Sequence, residues 1–128
     1  MGEAEMIRLS LQPIVENSVY HGIKGQDHQN LILISAVKEK DVLKVCVFDD
    51  GAGMTQERLD SVKKEIAKPF SEGESSVTYG LRNVNQRLIL EYGQDYGLKI
   101  ESVEGEYTMI TMCIPLDVQE NIREDFNC

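Results

Sequence analysis

Apolar positions along this chain recur with two different periods, and each change of period predicts an element. Ile7, Leu11, Ile14, Val15, Ser18 and Val19 follow helical spacing and predict an amphipathic helix. Pro13 is compatible with it if the regular helix starts near Leu11 or Gln12, which leaves the proline in the first turn. The period then shortens to two. Leu31 to Val37 and Val42 to Phe48 read as strands around the turn Glu39-Lys40-Asp41, an antiparallel hairpin. Helical spacing returns with Leu59, Val62 and Ile66 behind Thr55 as N-cap, and Pro69 ends that helix. Leu81, Val84, Leu88 and Tyr92 predict a third helix, opened by Gly80 and closed by Gly93. Leu98 to Val103 and Thr108 to Ile114 are two more strands around Glu104-Gly105-Glu106, and Pro115 marks the end of the last.

Helix, hairpin, helix, loop, helix, hairpin implies α/β architecture as a two-layer sandwich, with a mostly antiparallel, mixed sheet and the helices on one face. It excludes a doubly wound fold, because strands and helices do not alternate one for one. The 128 residues form one domain, and 41% apolar against 27% charged residues is enough to build a core without cross-links. Phe70 to Tyr79 is polar and aperiodic and reads as a mobile loop, and residues 117–128 read as a loosely held acidic tail. Met1 to Glu5 reads as an added start, because the amphipathic pattern begins abruptly at Met6, and the chain reads as a fragment of a longer protein.

A net charge of −9 argues against nucleic acid as a partner, since phosphate backbones need a basic face. Cys46, Cys113 and Cys128 form no Cys-x-x-Cys pair and read as thiols of a cytosolic protein. No apolar run approaches the roughly 18 residues of a membrane span. The Walker loop is absent, Gly51-Ala52-Gly53 lacks the third glycine of a dinucleotide fingerprint, and the EF-hand pattern fails. Three polar-plus-glycine stations remain: Glu16-Asn17 to His21-Gly22 on the first helix, Asp49 to Gly53 after a strand, and Tyr79 to Asn83 at the start of the third helix. Taken singly, each has a plain structural reading as a solvated helix face, a hairpin turn and a helix cap.

In order and spacing, the three stations resemble the ATP-binding catalytic domain of sensor histidine kinases of the LytS/YesM type, within the superfamily of gyrase, heat-shock chaperone, histidine kinase and MutL. Leu11 to Gly22 resembles the N box, Asp49 to Met54 the G1 box, and Tyr79 to Leu88 the G2 box. The resemblance implies that Asp49 accepts a hydrogen bond from the adenine 6-amino group. Gly51 and Gly53 would let the backbone pass beside the base, and Met54 would wall it. It also implies that Asn17 coordinates Mg²⁺ and that Gly80, Leu81, Arg82 and Asn83 hold the phosphates at a helix N-terminus. On the same resemblance His21 would be a further ATP contact, Glu16 the carboxylate beside Asn17 for catalysis, and the Phe70–Tyr79 loop the lid.

Three positions depart from the pattern. Tyr20 replaces a lysine, Thr78 replaces the first glycine of a Gly-x-Gly pair, and Pro13 stands where hydrolytic members carry Glu. The missing glutamate favours phosphoryl transfer over ATP hydrolysis. The resemblance further implies a phosphoacceptor His on a separate dimerisation domain, a response regulator as partner, and a membrane-anchored homodimeric sensor with this domain in the cytoplasm. The competing readings are a serine kinase or anti-sigma factor of the same fold, and an interaction module that has lost ATP.

Overall fold

The computed structural model describes residues 2–23, 31–69 and 77–116, with side chains described for 2–19, 31–69 and 80–116. Most of the expected lid, residues 70–76, and the tail, 117–128, lie outside the described residues, as do His28 and the side chain of His21. Three helices, α1 (Glu3–Ile23), α2 (Gln56–Ile66) and α3 (Val77–Tyr92), pack on a four-stranded sheet of β1 (Ile32–Glu39), β2 (Val42–Asp49), β3 (Lys99–Val103) and β4 (Tyr107–Pro115). The spatial order is β1-β2-β4-β3, and every pairing among these strands is antiparallel.

Alternation along the strands sorts the sheet into two faces. Val45, Val47, Ile100, Ile110, Met112 and Ile114 point at the helices and form one core with Ile14, Leu59, Val62, Ile66, Leu81, Val84 and Leu88. Phe48 stacks on Tyr107 on the other face, with ring centroids 5.7 Å apart. Outermost in the sheet, β1 leaves Leu33, Ile34 and Val37 about half exposed. Cys46 is a free thiol, whereas Cys113 is disulfide-bonded, so the thiol reading fails there.

Helix α1 departs most from expectation. It starts at Glu3, not near Leu11, and so absorbs most of the stretch read as an added start; Met6 is fully buried. Pro13 therefore sits inside the helix. A proline there lacks the N–H that the carbonyl of Leu9 would accept. Arg87 of α3 supplies a substitute donor, its Nη1 lying 3.4 Å from the Leu9 oxygen. Pro13 in turn lies against Gly80, where an added Cβ would meet the proline Cβ at 3.6 Å. The two helices are thus fitted to each other at the proline.

Helix α2 follows its pattern: Thr55 Oγ1 accepts from Arg58 N at 3.1 Å, and Leu59, Val62 and Ile66 are its buried residues. Its C-terminal carbonyl at Ile66 accepts from Asn85 Nδ2 at 2.9 Å, and Asn85 Oδ1 accepts from Leu98 N at 2.7 Å. One amide side chain therefore joins the end of α2, the middle of α3 and the start of β3. Helix α3 begins three residues before Gly80 and ends at Gly93, as expected, with Gly93 at φ 113°. A 3₁₀ turn, Gln94–Tyr96, precedes β3.

The loop after β2 is clamped to the β3–β4 hairpin. Gly105 N donates to Ala52 O at 2.6 Å, and Met54 N donates to Ser102 Oγ at 2.8 Å. Between them Gly53 adopts φ 66°, and a Cβ there would collide with the backbone carbonyl of Val103. Gly53 is required by this close approach of protein backbone.

Two stability measurements check these contacts. Arg87→Met should lower unfolding free energy by about 1–2 kcal/mol in urea, and Pro13→Ala, which restores the missing donor, should shrink that cost in a double-mutant cycle. Gly53→Ala should cost roughly 2–4 kcal/mol, from left-handed backbone strain plus collision, with an unchanged urea slope.

Candidate functional site

The core contains a polar end. Asn17 is 4% exposed, Ser18 fully buried, Asp49 1% exposed and Thr108 4% exposed. Asp49 ends β2 on the helix-facing side and pairs in register with Thr108 of β4. One Asp49 oxygen accepts from Gly51 N at 3.0 Å, which fixes the carboxylate plane against the turn. The neighbouring Asp50 does a different job. It is exposed, its Oδ1 accepts from Leu31 N at 2.7 Å, and its N–H reaches Leu31 O, so it closes the open end of the β1–β2 hairpin. Of two adjacent acids, pleating sends one inward and the other outward.

Helix α1 supplies the opposing wall, since it packs against α3, β2 and β4. Its buried stripe is Met6, Ser10, Ile14, Asn17 and Ser18, so the polar positions belong to the inward face. The plain reading of Asn17 as part of a solvated face is thereby overturned. Glu16 is the exposed neighbour, its Oε2 accepting from Gln12 Nε2 at 3.2 Å. Ser18 Oγ has no hydrogen-bond partner among the described residues, an uncompensated buried hydroxyl of the kind that a ligand or water satisfies.

Met54 is 9% exposed and packs in the core beside the clamped loop. Gly51 is buried at the turn. Gly53 also belongs to this turn, but its missing Cβ is accounted for by Val103 rather than by space for a base. On α3, Gly80, Leu81, Arg82 and Asn83 follow the first three residues of the helix instead of opening it. A helix that starts at Val77 has its unpaired amides in the turn before Gly80, which moves the anion-facing end towards residues 77–79. Leu81 and Arg82 are each 2% exposed, and Asn83 is half-buried. Arg82 is thus buried rather than on an open surface.

Asn17 of α1 and Asp49 of β2 are each buried, on two elements that pack against each other, and Gly80 is seated against α1 through Pro13. Ser18, Ser102 and Thr108 belong to this region and were not singled out from the sequence. A serine on an apolar stripe and a threonine in a strand carry no motif, and only burial marks them. Among the described residues no three His, Cys, Asp or Glu side chains converge as a metal cluster, and no helix is long and apolar enough to cross a membrane.

Comparison with known proteins places the fold in a family. Residues 4–118 match the family of histidine kinase-, DNA gyrase B- and HSP90-like ATPases. The sensor protein LytS of Staphylococcus saprophyticus is 31% identical over 120 residues, covering 93% of this chain and 20% of the relative. The sensor histidine kinase YesM of Bacillus subtilis is 32% identical over 108 residues, covering 84% of this chain and 17% of the relative. This chain therefore spans about a fifth of the length of such relatives. In fold, it resembles a histidine kinase domain from the Erythrobacter litoralis EL346 blue-light activated histidine kinase, with a TM-score of 0.58 at 18% identity over 87% of this chain and 43% of the other. By sequence match across most of its length, the chain belongs to the histidine kinase-, DNA gyrase B- and HSP90-like ATPase family.

Proposed function

We propose that this chain is the ATP-binding catalytic domain of a two-component sensor histidine kinase, which holds Mg·ATP and presents its γ-phosphate to a His on a separate dimerisation domain. The observation that carries the reading is the buried polar set Asn17, Ser18, Asp49 and Thr108 inside an otherwise apolar helix–sheet interface. Buried polar groups of this kind are costly unless something completes their hydrogen bonds.

Asp49, oriented by Gly51 N–H, accepts from the adenine 6-amino group. Guanine offers a carbonyl at that position, so a carboxylate selects against it. Met54 walls the base, and Gly51 gives the turn its close approach to the ring. Asn17 gives its amide oxygen to Mg²⁺, a hard ligand for a hard cation, while the phosphates and water complete the coordination. The N-terminal end of α3, whose free amides precede Gly80, favours the anionic phosphates through the helix dipole, with Gly80, Leu81, Arg82 and Asn83 following in its next turn, and His21 adds a contact from α1. Glu16, exposed beside Asn17, is the carboxylate available to an arriving acceptor.

Catalysis by such a domain is positioning and charge neutralisation. In the intact protein the partners are its own dimerisation domain and a response regulator, and the whole is a membrane-anchored homodimer with this domain in the cytoplasm. The names of the relatives, a sensor protein and a sensor histidine kinase, support the sensor-kinase part of that assignment.

Thermal unfolding with Mg·ATP at one hundred times its dissociation constant should show about 2.7 kcal/mol of stabilisation, and Mg·GTP at the same concentration far less. No shift with ATP would leave only an interaction module of this fold. Phosphorylation of a protein serine, and not of a His, by the intact protein would favour the serine-kinase reading. Asp49→Asn should weaken ATP binding by roughly 10–100-fold in calorimetry, the worth of a hydrogen bond to a charged group; unchanged affinity would remove Asp49 from the base site.

A further inference from the structure

We infer that Ser102 is a positioning residue for base selection, acting through the Met54 loop and through the proton of Thr108. The inference rests on the ATP-binding reading and extends it to a residue outside the three boxes.

Ser102 lies on the helix-facing side of β3 and pairs with Thr108, which pairs with Asp49 on the other side of β4. Its hydroxyl has three partners, each at 2.8 Å: Met54 N, Tyr107 O and Thr108 Oγ1. A serine hydroxyl owns one proton and two lone pairs. The Tyr107 carbonyl can only accept, so the proton goes there. The Met54 N–H can only donate, so it takes one lone pair. The second lone pair is left for the Thr108 hydroxyl, which must donate. Ser102 is thereby saturated, and Thr108 has committed its proton away from the site.

Two consequences follow for the base. Met54 is held by its own amide to β3, so the wall of the pocket keeps its distance from β2. Thr108, with only lone pairs left, stands across the sheet pairing from the Asp49 carboxylate, which is also an acceptor. At this end of the sheet Asp49 and Thr108 therefore both offer acceptors. An adenine amino edge satisfies such a surface, while a guanine carbonyl meets like against like. In this chemistry Ser102 touches neither nucleotide nor metal; it sets the polarity of a neighbour.

The test is calorimetric titration of the chain with Mg·ATP and with Mg·GTP, for the wild type, Ser102→Ala and Ser102→Thr. Ser102→Ala releases the Thr108 proton, and the preference for ATP over GTP should fall by at least about fivefold. Ser102→Thr keeps the hydroxyl and should return the preference to within about twofold of the wild type. Equal loss of both nucleotides in Ser102→Ala, or no change in either, would reduce Ser102 to a structural residue and overturn the inference. A wild type that binds neither nucleotide would overturn the ATP-binding reading itself, and this one with it. Should Ser102→Ala not fold, Thr108→Val removes the lone pairs that this arrangement turns to the base while sparing the Met54 contact, and the preference for ATP should again fall; an unchanged preference in that variant would overturn the inference equally.

Discussion

A carboxylate held at 1% exposure between a sheet and a helix is the constraint on which the rest of this structure depends. Burying Asp49 carries a desolvation cost that hydrophobic packing cannot offset by itself. The fold meets it locally, by turning the chain immediately after β2 so that Gly51 N–H points back at the carboxylate. That turn must then be kept in place. Gly105, Ser102 and the carbonyl of Val103 do so from the β3–β4 hairpin, some fifty residues further along the chain. The geometry of the G1 loop is thus set by a hairpin outside it.

The second wall of the site depends on a similar exchange. Pro13 breaks the hydrogen-bond ladder of α1 one turn before Asn17, and the carbonyl it strands is met by Arg87 from α3. The proline ring also faces Gly80, the second residue of the stretch on α3 that resembles the family's G2 box. N box and G2 box are therefore joined mechanically before any ligand is considered. Asn85 extends the same logic to the middle of α3, tying it to the end of α2 and the start of β3. Helix placement here is decided by a few side chains that answer stranded backbone groups, with the apolar core filling the space between them.

Much of this was legible in the chain itself. The strand pairs, the N-cap at Thr55, the buried positions Leu59, Val62 and Ile66, and the C-cap at Gly93 came from local rules that act within a few residues. The order of the three boxes identified the family, because it combines features that are individually weak. The start of α1 was misplaced because the rule for proline considers only the helix that carries it, and the compensating donor is 74 positions away. The start of α3 was placed at Gly80 because glycine reads as a boundary; here it is a contact point between helices. Local rules likewise could not show that Gly53 is approached by the backbone of Val103, fifty residues away.

What the sequence determined by itself, then, is the set of elements and the family, since hydrophobic period, caps and motif order are properties of neighbouring residues. What only the tertiary structure decided is which polar groups are interior. Asp49 and Asp50 are chemically identical neighbours, and Asn17 and Glu16 differ by one step on a helix. Burial separates each pair, and burial is a property of what packs against them. The hydroxyls of Ser18 and Thr108 are interior for the same reason, and burial makes a hydroxyl chemically specific because its proton can no longer be shared with bulk water.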